Sequence, residues 1–304
     1  MRLALAAIVM GAALAAGSAA AAKDKAPAPP SPPLWRVADA DSELYLFAAA
    51  PFLPEGEAWR SRAVAAAIDR SETIVFEAPS ADRKSQAEAA AIFQEQGRYP
   101  EGETLSRALG DDDAARLAAI AAALGAEPSS FDPLKPWAAF VVLSAELDRK
   151  RGADPAAGVE AGVLKEAIGR QRPVQHLDSV SGALRVLTDM PEEDQKALVA
   201  FLLADRPRQD AQALEDFARW RAGDVEALTA LQEPLRKAAP EAYARLIAAR
   251  AEALAERVAA LLSSPDEAFV CLPAALVVGE DGVAARLAAS GLTVERLDLA
   301  AERP

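Results

Sequence analysis

Few residues in this chain can do chemistry, and their scarcity narrows the choice. The 304 residues contain one histidine, His176, and one cysteine, Cys271. Those counts exclude an HExxH zinc helix, a Cys/His zinc site and an intramolecular disulfide. No GxSxG nucleophile elbow is present either. Cys271 lies in AFVCLPAALVV, where it reads as a small buried hydrophobe; a nucleophilic role would need His176 as its base. His176, in PVQHLDS, reads as a partly exposed strand-end residue, with a relocated metal ligand or general base as the functional alternative. Acids remain. Glu77 closes the β-branched run TIVFE, so it belongs near the C-terminal edge of a sheet, where α/β proteins bind ligands. It is either a site carboxylate or a buried acid satisfied by Arg250 or by backbone N–H groups. Asp178 follows His176 by two positions. A glycosidase pair built from Glu77 and Asp178 would need carboxyls about 5–10 Å apart, and no aromatic sugar platform accompanies either acid. Asp111, Asp112 and Asp113 are adjacent, which suits the positive end of a helix better than the alternating ligands of a calcium loop.

The elements that must position these residues follow from pattern. LWRVADADSELYLF reads as a hairpin, and Glu57 to Arg70 as a helix with Val64 and Ile68 on one face. TIVFE is a short buried strand after that helix, the start of a β-α-β arrangement. Helices are predicted from about Ser80 to Arg172, including 111–124 and 138–149. PVQHLDS is a further strand, followed by a helix pair around Met190 to Asp194. Residues 211–262 read as almost continuously helical, broken near Gly223-Asp224 and at Pro240. Ala268 to Val278 reads as an apolar strand interrupted by Pro273. Gly279 to Gly282 turns the chain into a helix over 283–289, and LTVERLDL is a last strand. The expected fold class is α/β, a small mixed sheet of four to six strands surrounded by many helices.

Composition bounds the partners. The formal charge is −13 and alanine dominates the 52% hydrophobic fraction. Without basic clusters, nucleic acid and anionic membrane surfaces are excluded as partners. Residues 1–22, MRLALAAIVMGAALAAGSAAAA, read as a secretory signal peptide, which predicts a periplasmic or secreted protein with no transmembrane segment after cleavage. Residues 23–33, KDKAPAPPSPP, read as a Pro-rich tether, and 34–304 as a single domain.

Several of these pieces occur together in one family. LWRVADADSELYLF, TIVFE, LKPW, GVEAGVLKEA, RPVQHLDS, WRAGDVEAL, the basic helix around Arg250 and VVGEDGVAARLAASGLTVERL resemble the TraB/GumN family, which is similar to TIKI-type metal-dependent proteases. The resemblance covers about Leu34 to Leu299. In typical members the first hairpin ends in Gly-x-x-His, and a second Gly-x-x-His precedes the Gly-Glu-Asp-Gly turn. Aligned on this chain, the first motif falls on Ala48 and Pro51 and the second on Pro273 and Leu276. Glu77 matches the family's acid at its strand end, Asp178 matches a Glu, and Arg250 matches an Arg whose neighbouring Asn is here Ala251. A hydrolytic metal centre needs several lone-pair donors on one ion and an open position for water. Proline and leucine side chains supply none.

The resemblance therefore implies a pseudoenzyme that binds or scaffolds an unknown protein, peptide or envelope component, with no cofactor. The alternative is a residual metal-dependent hydrolase, a peptidase using Mn, Co or Zn, with a rearranged site of Glu77, Asp178, His176 and Arg250.

Overall fold

The computed structural model describes residues 29–50, 53, 58–80, 82–150, 158–204 and 215–297. The segment read as a signal peptide, most of the Pro-rich tether, and Pro51 lie outside the described residues. Six strands are described: β1 Leu34–Ala38, β2 Glu43–Ala49, β3 Thr73–Phe76, β4 Val174–His176, β5 Ala268–Pro273 and β6 Thr293–Arg296. They form one mixed sheet in the order β4-β3-β5-β2-β1-β6, surrounded by about 13 helices among the described residues. The α/β class expected from pattern is what the chain adopts.

β1 and β2 make the predicted hairpin, with Trp35 opposite Leu46 and Val37 opposite Leu44. Asp39 holds the turn, its carboxylate accepting from the backbone N–H of Ser42 at 2.8 Å and of Asp41 at 3.1 Å. β2, β5, β3 and β4 run parallel. The three inner ones are almost wholly buried, which is why TIVF and AFVCL read as unbroken apolar runs rather than as alternation. The outermost strands, VQH and TVER, are short, polar and largely exposed, as edge strands must be to resist pairing with another chain.

The central position of β5 sets up the site. β2 and β3 follow each other in sequence, yet β5, from the far end of the chain, lies between them. Ala48 pairs with Leu272, Ala49 with Pro273, and Phe76 with both Cys271 and His176. All four parallel strands thus end along one line, the edge where ligands bind in open parallel sheets.

Three predicted elements differ. The helix read over Glu57 to Arg70 begins only at Arg62, capped by Ser61, and 58–61 are not helical. Ala268 to Val278 is not one strand: β5 stops at Pro273, and Ala274–Val277 forms a single helical turn. Proline has no N–H for a sheet ladder, and its φ of −52° suits the position just ahead of a helix. The run AALVV is apolar in either geometry, so periodicity does not distinguish them. The helical run predicted over 211–262 breaks near Gly223-Asp224 and at Pro240 as expected, but also between Ala230 and Glu233, and it contains a π-helical stretch. Its described pieces are 215–222, Val225–Ala230, Glu233–Ala238, Pro240–Tyr243, the π-helical Ala244–Ala249, and Arg250–Leu261. The helices Asp111–Leu124 and Val283–Ala289 have the predicted bounds.

Candidate functional site

Glu77 follows the last residue of β3 and is buried, its side chain 4% exposed. The Arg250 guanidinium, 10% exposed, forms an ion pair with it. Arg250 opens the helix Arg250–Leu261. One full turn pair further along, Arg257 reaches the end of β4, where its Nη1 donates to the Leu177 carbonyl at 2.7 Å and meets Asp178 Oδ2 at 3.1 Å. Asp178 is itself anchored: its Oδ1 accepts from the Ser179 N–H at 2.8 Å, and it lies against Gly182, where any Cβ would stand 2.0 Å from Oδ1. Glu77, Asp178 and Arg250 line one cleft of about 250 Å³, in which Glu77 pairs with Arg250 and Asp178 with Arg257.

Of the four motif positions, Ala48, Pro273 and Leu276 are described, and they lie at the same sheet edge. Ala48 is fully buried, and its carbonyl accepts from Trp220 Nε1–H at 2.8 Å. Phe47 beside it stacks in a cluster with Trp59, Trp220 and Phe269. Leu276 is buried in the helical turn after Pro273. That turn is held from outside by Gln232, whose Nε2 donates to the Ala275 carbonyl at 3.1 Å. The Gln232 Oε1 in turn accepts from the Tyr243 hydroxyl at 3.0 Å, and the same hydroxyl lies 3.1 Å from Asp281 Oδ2. Hydrocarbon and backbone contacts fill the space at Ala48 and Leu276.

With this geometry in place, a family model for TraB/PrgY/gumN matches residues 33–296, most of the chain. The chain belongs to the TraB/PrgY/gumN family. No curated protein and no solved structure gives a significant match to it.

A TraB/PrgY/gumN relative with both Gly-x-x-His motifs has two imidazoles to offer a metal, and this chain has neither at those positions. The donors present do not fit a hydrolytic centre. Glu77 is held by Arg250, and Asp178 by Arg257. Among the described residues no group of three or more His, Cys, Asp or Glu side chains is placed to hold an ion. His176 is not part of the cleft lining: its ring lies 6.3 Å from that of Phe76, and burial lowers its pKa while Asp82 pulls it the other way. Cys271 is fully buried in β5, and desolvation raises its thiol well above the usual range, with the charge of Glu160 adding to the effect. It behaves as the small hydrophobe expected from its strand.

Glu160 is the residue that sequence reasoning missed. It lies in the first turn of the helix Val159–Gly169, in the GVEAG run. Burial pushes its pKa up to about 8, the negative charge of Glu77 adds to the rise, and Arg250 opposes it. Glu160 thus interacts electrostatically with both Glu77 and Arg250. The available signal was an acid in the second position of a helix opened by Gly158, inside a motif already recognised by its resemblance.

Proposed function

We propose that this TraB/PrgY/gumN member is a pseudoenzyme that has lost metal-dependent hydrolysis and serves as a binding or scaffolding module in the cell envelope. The observation that carries the reading is the chemistry of the former ligand positions: Pro51 and Leu276 have no donor atom, and the retained Glu77 is neutralised by Arg250. A buried carboxylate already paired with a guanidinium gains little by binding a metal, because the ion would have to displace Arg250 into a low-dielectric site. Export is supported by the composition of residues 1–22. The bound component is a protein, a peptide or an envelope constituent.

A residual peptidase is the second reading, favoured by the meeting of Glu77, Asp178 and Arg250 in one open cleft. Its test is a peptide-cleavage screen with added Mn, Co or Zn, comparing the native chain with Glu77→Gln; equal rates remove it. Metal analysis of the purified, dialysed protein tests the leading proposal. We expect substoichiometric metal, and a stoichiometric divalent ion would overturn it. The combined variant Ala48→Gly, Pro51→His, Pro273→Gly, Leu276→His asks whether the scaffold accepts metal once both motifs are restored.

A further inference from the structure

The cleft that contains Glu77 is lined by more guanidinium groups than its carboxylates neutralise. Arg185, Arg245, Arg250 and Arg257 face Glu77, Asp178 and Asp189 across it. Three of the four arginines have an ion-pair partner, Arg250 with Glu77, Arg257 with Asp178 and Arg245 with Asp194. Donors remain on Arg185 and Arg245. The Arg185 guanidinium has no ion-pair or hydrogen-bond partner among the described residues. Arg245 is ion-paired through Nε with Asp194 at 3.6 Å, too long for a direct hydrogen bond, and its Nη atoms have no carboxylate partner among the described residues. Asp189 accepts from the Thr188 hydroxyl at 3.2 Å and pairs with neither arginine.

A backbone irregularity produces this arrangement. Arg245 and Arg250 are five residues apart, which in an α-helix would place them about 140° apart around the axis. The stretch Ala244–Ala249 is π-helical, and i→i+5 bonding returns residues five apart to one face. Arg257, seven residues beyond Arg250, is two α turns further along that face. Ala249 and Ala253 lie between the three arginines, and their methyl side chains leave the space that larger residues would fill.

We propose that this cleft binds a small organic oxyanion, a carboxylate or a phosphate monoester, through Arg185 and Arg245. The guanidinium fork matches the spacing of two oxygens on either group. A volume of about 250 Å³ admits one such group with a few attached carbons. The overall charge of −13 repels extended polyanions at long range, so the local excess of positive charge selects small anions.

The proposal rests on the reading of this sheet edge as a binding site, but its failure is separable from that of the reading. Metal content and peptide cleavage test the loss of hydrolysis; anion titration tests only the cleft. Purified full-length protein is titrated calorimetrically at low salt with inorganic phosphate, with an N-acetylated tripeptide bearing a free C-terminal carboxylate, and with the same tripeptide amidated. We expect saturable, roughly millimolar binding of phosphate or of the free carboxylate, weakening as salt is added. The pair Arg185→Gln, Arg245→Gln should weaken it by about tenfold or more, with an unchanged melting curve. Phosphate binding without peptide binding assigns a phosphate ester, and the reverse assigns a carboxylate. The proposal is overturned if neither oxyanion saturates, if the amidated peptide binds as well as the acid while phosphate does not bind, or if the double variant binds as tightly as the native chain.

Discussion

At the scale of single residues, the interior acids decide how the molecule responds to substitution and pH. Glu77 and Arg250 are each almost wholly buried, so removing one partner strands the charge of the other. Arg250→Met should therefore cost ~3 kcal/mol in urea unfolding, whereas adding Glu77→Gln should recover more than half of that loss. Additive effects of the two substitutions would show that the pair is not coupled. Glu160 governs pH dependence. Its pKa rises from the usual 4.5 to about 8, so between those values the folded chain holds a proton that the unfolded chain has released. Stability accordingly falls as pH rises through this window, and Glu160→Gln should flatten the slope. Partial exposure of Glu160 moderates the size of the effect. At pH 9 the variant should be more stable than the native chain by ~1–3 kcal/mol in denaturant titrations; identical pH profiles would remove Glu160 from the account.

At the scale of elements, close backbone approaches separate glycines that matter from those that do not. A Cβ at Gly282 would stand 2.4 Å from the Val277 carbonyl oxygen and 2.5 Å from that of Val278, where backbone must move to admit it. Gly169, at the end of its helix, has nothing within 4 Å of such an atom. Gly282→Ala is expected to lower stability by ~2 kcal/mol or more, and Gly169→Ala to raise it by ~0.5 kcal/mol. Melting temperatures of the two variants moving in the same direction would contradict this. The hairpin and the helices 111–124 and 283–289 were legible because turn residues, acidic helix starts and Gly boundaries mark them locally. The turn Ala274–Val277 was not legible. Its geometry depends on Gln232, some forty positions earlier, bonding its carbonyls. The π-helical register ahead of Arg250 leaves no mark in an alanine-rich sequence.

At the scale of the whole molecule, the sheet order makes the two ends of the chain interdependent. β5 lies between β2 and β3, and β6 covers β1. A chain ending at Leu262 would leave both inner strands without their shared neighbour. Such a truncation should show no cooperative thermal transition by circular dichroism, and a sharp melting curve would refute the dependence. The same order explains why the candidate site was only partly legible. Glu77, Asp178 and Arg250 were identified individually, by strand-end position and by resemblance. Their company of Glu160 and Arg185 comes from two other helices, and Arg245 and Arg257 share the helical stretch of Arg250 in a register that pattern does not reveal.

The sequence by itself determined the family, the α/β class and the absence of imidazoles at Pro51 and Leu276, because residue identity and local pattern are sufficient for each. It also established that only one histidine and one cysteine exist to do chemistry. Tertiary structure alone decided what stands around the sheet edge: the Glu77–Arg250 pair, the raised Glu160 and the excess of guanidinium in the cleft. Charges interact through space according to distance and burial, and a linear sequence encodes neither until distant strands and helices are brought together.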